Sequence, residues 1–286
     1  MAARRQNLYG ARNGLIFIVP SLLLLIITNT TPILFTFLYS FTDYSIGMPI
    51  HFSGLTNYIS LAGSDEFKQS LVVTLKMGLG LALPGSLFAF LISLGISKGR
   101  RTGIFSTILF IPVIYPSVVS TFIWGAAYRG DGFINKYLGL DVAWLASYTM
   151  ALPSLIFVLL WTNLGFYVII SLTGVRGISQ SYYEAASLDG ANEWHLMRFI
   201  TYPLMKPVLL FIGIIATSDA LQIFTQPFLL TAGGPGSTTR VLAGLIYQVL
   251  FERFEVGLAS AMAVCLALMS LFVALLQYLV ISYRKR

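Results

Sequence analysis

Long apolar runs alternate with short polar segments along this chain, and the pattern predicts a bundle of membrane-spanning helices. A spanning α-helix needs about 20 predominantly apolar residues, and the longer runs can tilt or project from the bilayer. No change of composition marks a separate soluble domain, so we predict one transmembrane domain over residues 1–286. The runs that predict spanning helices are 14–42, 68–97, 103–128, 147–174, 204–230 and 257–282.

Two features of these runs allow more than one interpretation. The first run could pass for a signal peptide, but its apolar core is too long and no small-residue cleavage site follows before Phe41-Thr42-Asp43, which favours a membrane helix. Prolines such as Pro116 and Pro227 lie inside the runs. They either kink helices that shape a pore or are simply tolerated, as proline often is in membrane helices.

The composition agrees with an integral membrane protein. Of 286 residues, 57% are hydrophobic and 10% are charged, whereas a soluble domain carries about 25% charged residues. The single cysteine, Cys265, excludes an internal disulfide and a cysteine-based metal cluster. We expect it to be a small apolar side chain inside the last helix.

The net charge of +7 is an orientation signal and does not predict a nucleic-acid surface. Lysine and arginine accumulate on one side of the predicted bundle, so both termini and the polar segment 175–203 are expected in the cytoplasm. The twelve residues of that side are Arg4, Arg5, Arg12, Lys98, Arg100, Arg101, Arg176, Arg198, Lys206, Arg284, Lys285 and Arg286, against Arg129, Lys136, Arg240 and Arg253 outside. Lys68 and Lys76 belong to the second helix.

The segment 175–203 contains signals for two short helices. Ser181 and Glu184 have the spacing of a capping box, which predicts a helix that begins near Ser181. Asp189-Gly190 predicts a turn, and Asn192 can cap a second helix. On the first helix, small side chains leave the backbone accessible to a partner, and the preceding tyrosines are typical of interface anchors. A plain surface helix between two spans is the alternative.

This segment resembles the EAA loop of binding-protein-dependent ABC importers, which docks the membrane subunit onto an ATPase. The family pattern is Glu-Ala-Ala, three residues, Gly, nine residues, Ile, one residue, Leu-Pro, and only its Leu is replaced, by Tyr202. The resemblance implies an ATPase-coupling role for Tyr183, Glu184, Ala185, Ala186, Asp189, Gly190, Ile200 and Pro203.

The resemblance covers nearly the whole chain. It includes Ser40-Phe41-Thr42-Asp43 with Gly54-Leu55-Thr56-Asn57-Tyr58, the segment Leu230-Thr231-Ala232-Gly233-Gly234-Pro235 with Thr238-Thr239, and Gly257-Leu258-Ala259-Ser260-Ala261. These segments look like the outside loops and the sixth helix of carbohydrate permeases of the maltose and glycerol-phosphate type, first permease subunit. The implied fold class is the all-α core of type I importers with six transmembrane helices. The alternative for Gly233-Gly234-Pro235 is a plain turn.

The resemblance also implies an assembly in a bacterial or archaeal cytoplasmic membrane. Its partners are a sister permease in a heterodimer, an ABC ATPase dimer, an extracytoplasmic solute-binding protein and membrane lipid, with no nucleic acid. No cofactor or metal is expected on this chain, because ATP and Mg belong to the partner ATPase. The expected function is one half of a sugar-import pathway.

Sugar binding requires hydrogen-bonding groups and aromatic faces. Asp219, Gln222 and Gln226 recur at i, i+3 and i+7, so we predict that they share one helix face. The family places substrate contacts in the fourth and fifth helices. The predicted substrate residues are Trp161, Asn163, Phe166, Asp219 and Gln222. Packing against a sister subunit is the alternative for this polar stripe, and Lys76 either snorkels or pairs with an acid.

Other function classes find little support in the sequence. The chain has no G-x-x-x-x-G-K-[ST] motif of an ATPase and no HExxH motif. Both histidines, His51 and His195, fall in predicted loops, so an intramembrane hydrolase lacks a base at depth, and no catalytic residue is predicted. A self-contained channel or secondary transporter remains the alternative.

Overall fold

A computed structural model of the protein describes residues 11–97, 99 and 102–283, with side chains over 18–97, 99 and 102–279. Eight of the sixteen charges used to predict the orientation, at positions 4, 5, 98, 100, 101 and 284–286, lie outside the described residues. The helices are α1 Ala11–Leu25, α2 Thr31–Tyr39, α3 Thr56–Gly63, α4 Asp65–Ser97, α5 Thr102–Ile114, α6 Ser117–Ala127, α7 Phe133–Leu138, α8 Ala151–Arg176, α9 Gln180–Leu188, α10 Glu193–Leu196, α11 Tyr202–Leu221, α12 Thr225–Thr231, α13 Leu242–Phe251 and α14 Val256–Tyr283. Single π-helical turns, Ile26–Thr30 and Met197–Thr201, join α1 to α2 and α10 to α11.

The all-α prediction is confirmed. Within the described residues the only β pairing is one isolated bridge between Thr42 and Phe52. Five helical stretches are long and apolar enough to cross a membrane, and a bent pair makes a sixth if it counts as one span. The five are Ile18–Tyr39, Asp65–Ser97, Ala151–Arg176, Glu193–Leu221 and Val256–Leu279.

The third predicted run is not one continuous helix. It consists of α5 and α6, which are bent by 95° where they meet. Pro116 caps α6 with extended backbone angles, φ −53° and ψ 139°. Proline has no N–H to continue the helix and disfavours helical angles at the preceding residue, Tyr115, so the chain turns there.

The chain divides into two compact units, residues 1–63 with 246–265 and residues 64–245 with 266–286. The first unit brings together two of the motif segments, 40–43 and 54–58. The Asn57 side chain donates to the carbonyls of Ser40 (3.0 Å) and Thr42 (2.8 Å), and the Tyr58 hydroxyl donates to the Ser40 hydroxyl at 2.7 Å. Ser40 is completely buried, so these polar groups form a closed network that fixes the loop after α2.

The second unit has its core where α4, α8 and α11 pack together. Met77, Leu155 and Ile212 are each completely buried in this core. Close approach of the helices depends on a small residue. A Cβ on Gly85 would lie 3.2 Å from the Tyr167 ring. Further along the same pair of helices, the buried hydroxyls of Ser93 and Ser171 are 2.8 Å apart.

In the same unit, the segment between α12 and α13 is a loop held in shape by hydrogen bonds between its own residues. The Thr239 hydroxyl lies 2.7 Å from that of Thr231 and donates to the Gly234 carbonyl at 2.6 Å. Arg240 forms an ion pair with Glu66, at the start of α4, with 2.7 Å between Nη1 and Oε1. These bonds hold the loop against α4.

Candidate functional site

A polar cavity of about 230 Å³ lies in the second unit, where α11 ends. Three of the five predicted substrate residues line it. Asn163 comes from α8, Asp219 from the last turn of α11, and Gln222 from the residue that caps that helix. The other lining residues are Leu81, Leu159, Ile223, Phe224, Thr225 and Gln226.

A break in the fifth span builds this cavity. α11 ends at Leu221, and α12 begins at Thr225. In a continuous helix the Pro227 ring would clash with the carbonyl four residues earlier, at Ile223, which explains the interruption. The prediction that Asp219, Gln222 and Gln226 share one helix face is therefore wrong. All three nevertheless line the cavity, because the break folds the chain around it.

Asp219 carries the only charge among the nine described residues that line the cavity. Its Oδ2 atom lies 3.4 Å from the hydroxyl of Tyr167, which is completely buried in α8. The tyrosine O–H donates to the carboxylate and ties the end of α11 to α8. The other carboxylate oxygen is not engaged by this bond and can accept a hydrogen bond from a hydroxyl in the cavity.

The amide groups add both donors and acceptors. The Asn163 Nδ2 donates one hydrogen bond to the Leu159 carbonyl at 2.9 Å, which leaves its oxygen available. Gln222 is exposed within the chain, whereas Gln226 is only 6% exposed. Phe224 supplies an aromatic group beside these polar atoms. The set offers the combination of hydrogen-bonding groups and an apolar face that a sugar ring requires.

Trp161 and Phe166 do not line this cavity. The Trp161 ring packs edge-on against Trp124 of α6, with 5.5 Å between centroids. Phe166 is 39% exposed on α8 beside Tyr167. Pro227 was predicted either to kink the helix or to be tolerated, and the break between Leu221 and Thr225 brings residues 223–226 to the site.

The predicted coupling segment contains the two expected helices, α9 and α10. Helix α9 begins at Gln180, so Ser181 lies inside the helix and is not its N-cap, and the predicted capping box between Ser181 and Glu184 is not formed. The Ser181 hydroxyl instead lies 2.8 Å from that of Ser179. The expected cap of α10 is confirmed, because the Asn192 side chain accepts from the His195 N–H at 2.9 Å.

Helix α9 presents an exposed surface. Glu184, Ala185 and Asp189 are exposed, Ala186 is half-buried, and Leu188 is 90% exposed. An exposed leucine beside small residues and a carboxylate is a surface that a partner could cover. Leu188 was not among the predicted coupling residues, although its position inside the motif points to it.

The turn that ends α9 depends on a glycine. Gly190 follows the helix with a φ of +80°. This left-handed angle favours glycine, because a side chain would clash with the backbone there. The sequence signal for a turn at Asp189-Gly190 is therefore confirmed.

Tyr183 points in the opposite direction, towards the start of the fifth span. Its hydroxyl lies 3.0 Å from the hydroxyl of Thr201, which is 4% exposed in the π-helical turn before α11. The Thr201 hydroxyl also donates to the Leu196 carbonyl at 3.3 Å. Ile200 is in the same turn, and Pro203 is the second residue of α11.

A helical bundle that crosses the membrane several times, with a polar cavity at a broken helix, defines the class as a multi-pass membrane transport protein. The particular family follows from comparison with known proteins. The chain belongs to the family of binding-protein-dependent transport system inner membrane components, whose profile matches residues 13–284. It is thus a transport permease and not a catalytic subunit.

The names of several relatives of the chain refer to carbohydrate transport systems. It is 30% identical over 282 residues to the lactose transport system permease protein LacF of Rhizobium radiobacter, covering 93% of this chain and 92% of the relative. It is also 30% identical over 264 residues to the trehalose/maltose transport system permease protein MalF of Thermococcus litoralis, covering 89% and 88%. Both relatives are matched over most of their length.

Among solved structures, a chain of a bacterial alginate ABC transporter in complex with an alginate pentasaccharide-bound periplasmic protein has the same fold. The TM-score is 0.80 at 22% identity, over 95% of this chain and 96% of that one. The likeness confirms the type I importer fold predicted from the EAA resemblance.

Proposed function

We propose that this chain is the membrane-spanning subunit of an ATP-driven sugar importer and forms half of its translocation pathway. The observation that carries the proposal is the position of α11. Its first residues follow Thr201, which contacts Tyr183 of α9, and its last turn carries Asp219 into the polar cavity. A shift of α9 imposed by a partner therefore moves the same rigid element that lines the cavity.

ATP hydrolysis belongs to a partner in this proposal. An ABC ATPase dimer, with its own ATP and Mg, docks on the exposed surface of α9 around Glu184 and Leu188. A sister permease supplies the other half of the pathway, and an extracytoplasmic binding protein delivers the sugar to the outside loops. The chain itself binds no cofactor or metal. Family membership and the names of the relatives support this assembly.

The cavity favours a neutral sugar over an acidic one. Its single charge is the Asp219 carboxylate, and the nine described lining residues include no lysine, arginine or histidine. An anionic sugar would meet like charge in a partly desolvated space, which is unfavourable. Hydroxyl groups can instead donate to Asp219 and exchange hydrogen bonds with Asn163 and Gln222.

The test begins with purification of the chain from native membrane in mild detergent and mass spectrometry of the proteins that accompany it. Recovery of a second permease and a P-loop ATPase is expected. Repeated recovery of the chain alone would favour a self-contained channel or secondary transporter. The recovered complex, reconstituted in vesicles, then serves for sugar-stimulated ATP hydrolysis and uptake.

Two substitutions separate the two parts of the proposal. Glu184→Lys should reduce uptake without changing insertion of the chain, because it reverses the charge on the docking surface. Gln222→Ala should weaken the response to sugar while basal ATP hydrolysis persists. The matched control for Gln222 is Asn29→Ala. It removes an exposed amide from the π-helical turn Ile26–Thr30, which does not line the cavity. Unchanged uptake in both test variants would refute the assigned roles.

A further inference from the structure

A second cavity, of about 500 Å³, lies at the other end of α4 from the coupling segment. The first turns of α4, the start of α8 and the loop after α12 form its walls. None of its lining residues lines the sugar cavity. Its lining residues are Lys68, Gln69, Val72, Val73, Lys76, Tyr148, Thr149, Leu152, Pro153 and Thr238.

The walls of this cavity are held in place. The Tyr148 ring packs directly on Gly236, since a Cβ added there would lie 2.6 Å from a ring carbon. Gln69 donates a long hydrogen bond, 3.5 Å, to the Gly236 carbonyl. The ion pair of Arg240 with Glu66 fixes the same loop to α4. The cavity is therefore part of the folded unit and not a gap between mobile segments.

The cavity carries two uncompensated positive charges. Lys68 and Lys76 are both exposed, and neither forms an ion pair with a carboxylate among the described residues. The lining residues include no aspartate or glutamate. Of the two acids in the first turn of α4, Glu66 is engaged by Arg240 at 2.7 Å, and Asp65 does not line the cavity. Two ammonium groups at one concave site attract a small anionic group such as a phosphate.

The depth of the cavity along the helices matches the edge of a bilayer. Lys76 of α4 lines the cavity together with Leu152, which is in the first turn of α8. α8 has 26 residues and is about 39 Å long, enough for a hydrocarbon layer of about 30 Å with one turn beyond it at each end. Lys68 lies eight residues before Lys76, about 12 Å further out. Tyr148 has the position typical of interfacial aromatic residues.

An apolar track leads away from Lys76 along α4. Residues at i+3, i+7 and i+11 from Lys76 lie on the same helix face. These are Leu79, Leu83 and Leu87, and all three are exposed in this chain. A bound molecule with an anionic head and a long apolar tail can thus contact both the lysines and this face. Free phosphate or an acidic peptide would leave the track uncovered.

We propose that this cavity binds the phosphate of an anionic phospholipid, with one acyl chain along α4. The bound lipid belongs to the leaflet at which α4 and α8 begin, which the charge distribution assigns to the outer face. Lys68 and Lys76 engage the phosphate oxygens, and Val72, Leu152 and Pro153 contact the upper part of the lipid. The site is separate from the sugar cavity and its test does not depend on transport.

Native mass spectrometry of the purified full-length chain, with lipids added to the detergent, tests the site. Dioleoyl phosphatidylglycerol and dioleoyl phosphatidylcholine are titrated in parallel, so that only the headgroup charge differs. We expect the wild-type chain to retain phosphatidylglycerol in preference to phosphatidylcholine. The Lys68→Gln/Lys76→Gln double variant should bind phosphatidylglycerol about 30-fold more weakly, the effect of two lysines near a membrane surface.

Lys136→Gln is the matched control, because Lys136 is also exposed, is predicted on the same side, and does not line the cavity. It should leave phosphatidylglycerol binding unchanged. Equal retention of both lipids, or equal losses in the control and the double variant, would overturn the proposal. Displacement of the lipid by inorganic phosphate at equal concentration would instead show a free-anion site. Weaker capture of a binding protein with unchanged lipid binding would show a protein contact.

Discussion

The hydroxyl of Tyr183 lies 3.0 Å from the hydroxyl of Thr201, and this contact joins helix α9 to the beginning of the fifth span. Because Thr201 donates its proton to the Leu196 carbonyl, the Tyr183 hydroxyl is the donor in this pair. Neither residue can be assigned to such a contact from its position in the EAA pattern. The pair connects α9 to the turn that precedes α11, which gives the proposed coupling a physical link between the two helices.

Tyr183→Phe should weaken coupling without unfolding the chain. The variant loses one hydrogen bond, worth about 1 kcal/mol, which corresponds to about a fivefold change in an equilibrium constant. We expect the amount of sugar transported per ATP hydrolysed to fall severalfold in reconstituted vesicles. Tyr182→Phe is the control, because that hydroxyl belongs to a residue that is 56% exposed. Equal losses in the two variants would show that the contact has no special role.

Gly190→Val, compared with the same change at Gly139, should distinguish the effect of backbone strain on stability from the effect of the turn after α9 on ATPase docking. A β-branched residue at φ +80° is strained by about 1–2 kcal/mol, and the turn after α9 should change shape. Gly139→Val is the matched control, since Gly139 also has a left-handed φ, +64°, with open space around it. Both variants should lower the thermal unfolding midpoint similarly. Only Gly190→Val should reduce ATPase recovery in pull-down experiments, severalfold or more.

Asp219→Asn should relax discrimination against acidic sugars. The variant removes the charge of the cavity but keeps a group of the same shape that can accept from the Tyr167 hydroxyl. We expect stimulation of ATP hydrolysis by an acidic sugar to rise severalfold relative to its neutral counterpart. Tyr167→Phe keeps the charge and serves as the comparison. A selectivity ratio that stays the same in Asp219→Asn would exclude Asp219 as its source.

The ion pair between Arg240 and Glu66 predicts a measurable interaction energy in a double-mutant cycle. The two side chains are 25% and 31% exposed. Solvent therefore screens the pair, and an interaction of about 1 kcal/mol is expected. Arg240→Gln and Glu66→Gln should each lower stability in detergent, and the double variant should be less destabilised than the sum of the two. Simple additivity would mean that the pair holds the loop only by packing.

Local chemistry was sufficient to predict much of this fold. Runs of about 20 apolar residues predict spanning helices, because a bilayer core leaves no other partner for the backbone. The cap of α10 could be predicted for a similarly local reason, because the Asn192 side chain bonds to a backbone N–H only three residues later. At Pro116 and Pro227 the sequence left a kink and simple tolerance both open, because periodicity alone does not show whether a proline interrupts a helix, and the structure has a break at each place.

The sequence by itself determined the membrane class and the approximate position of the spans, and it predicted the coupling motif, since each depends on residues that are close along the chain. Only the tertiary structure decided that Asn163 and Asp219 line one cavity while Trp161 packs on Trp124 instead. It also decided that Tyr183 reaches Thr201 and that Lys68 and Lys76 share a cavity with Tyr148. Such pairings depend on helix packing and on where helices break, and neither is recorded in the spacing of residues along one helix.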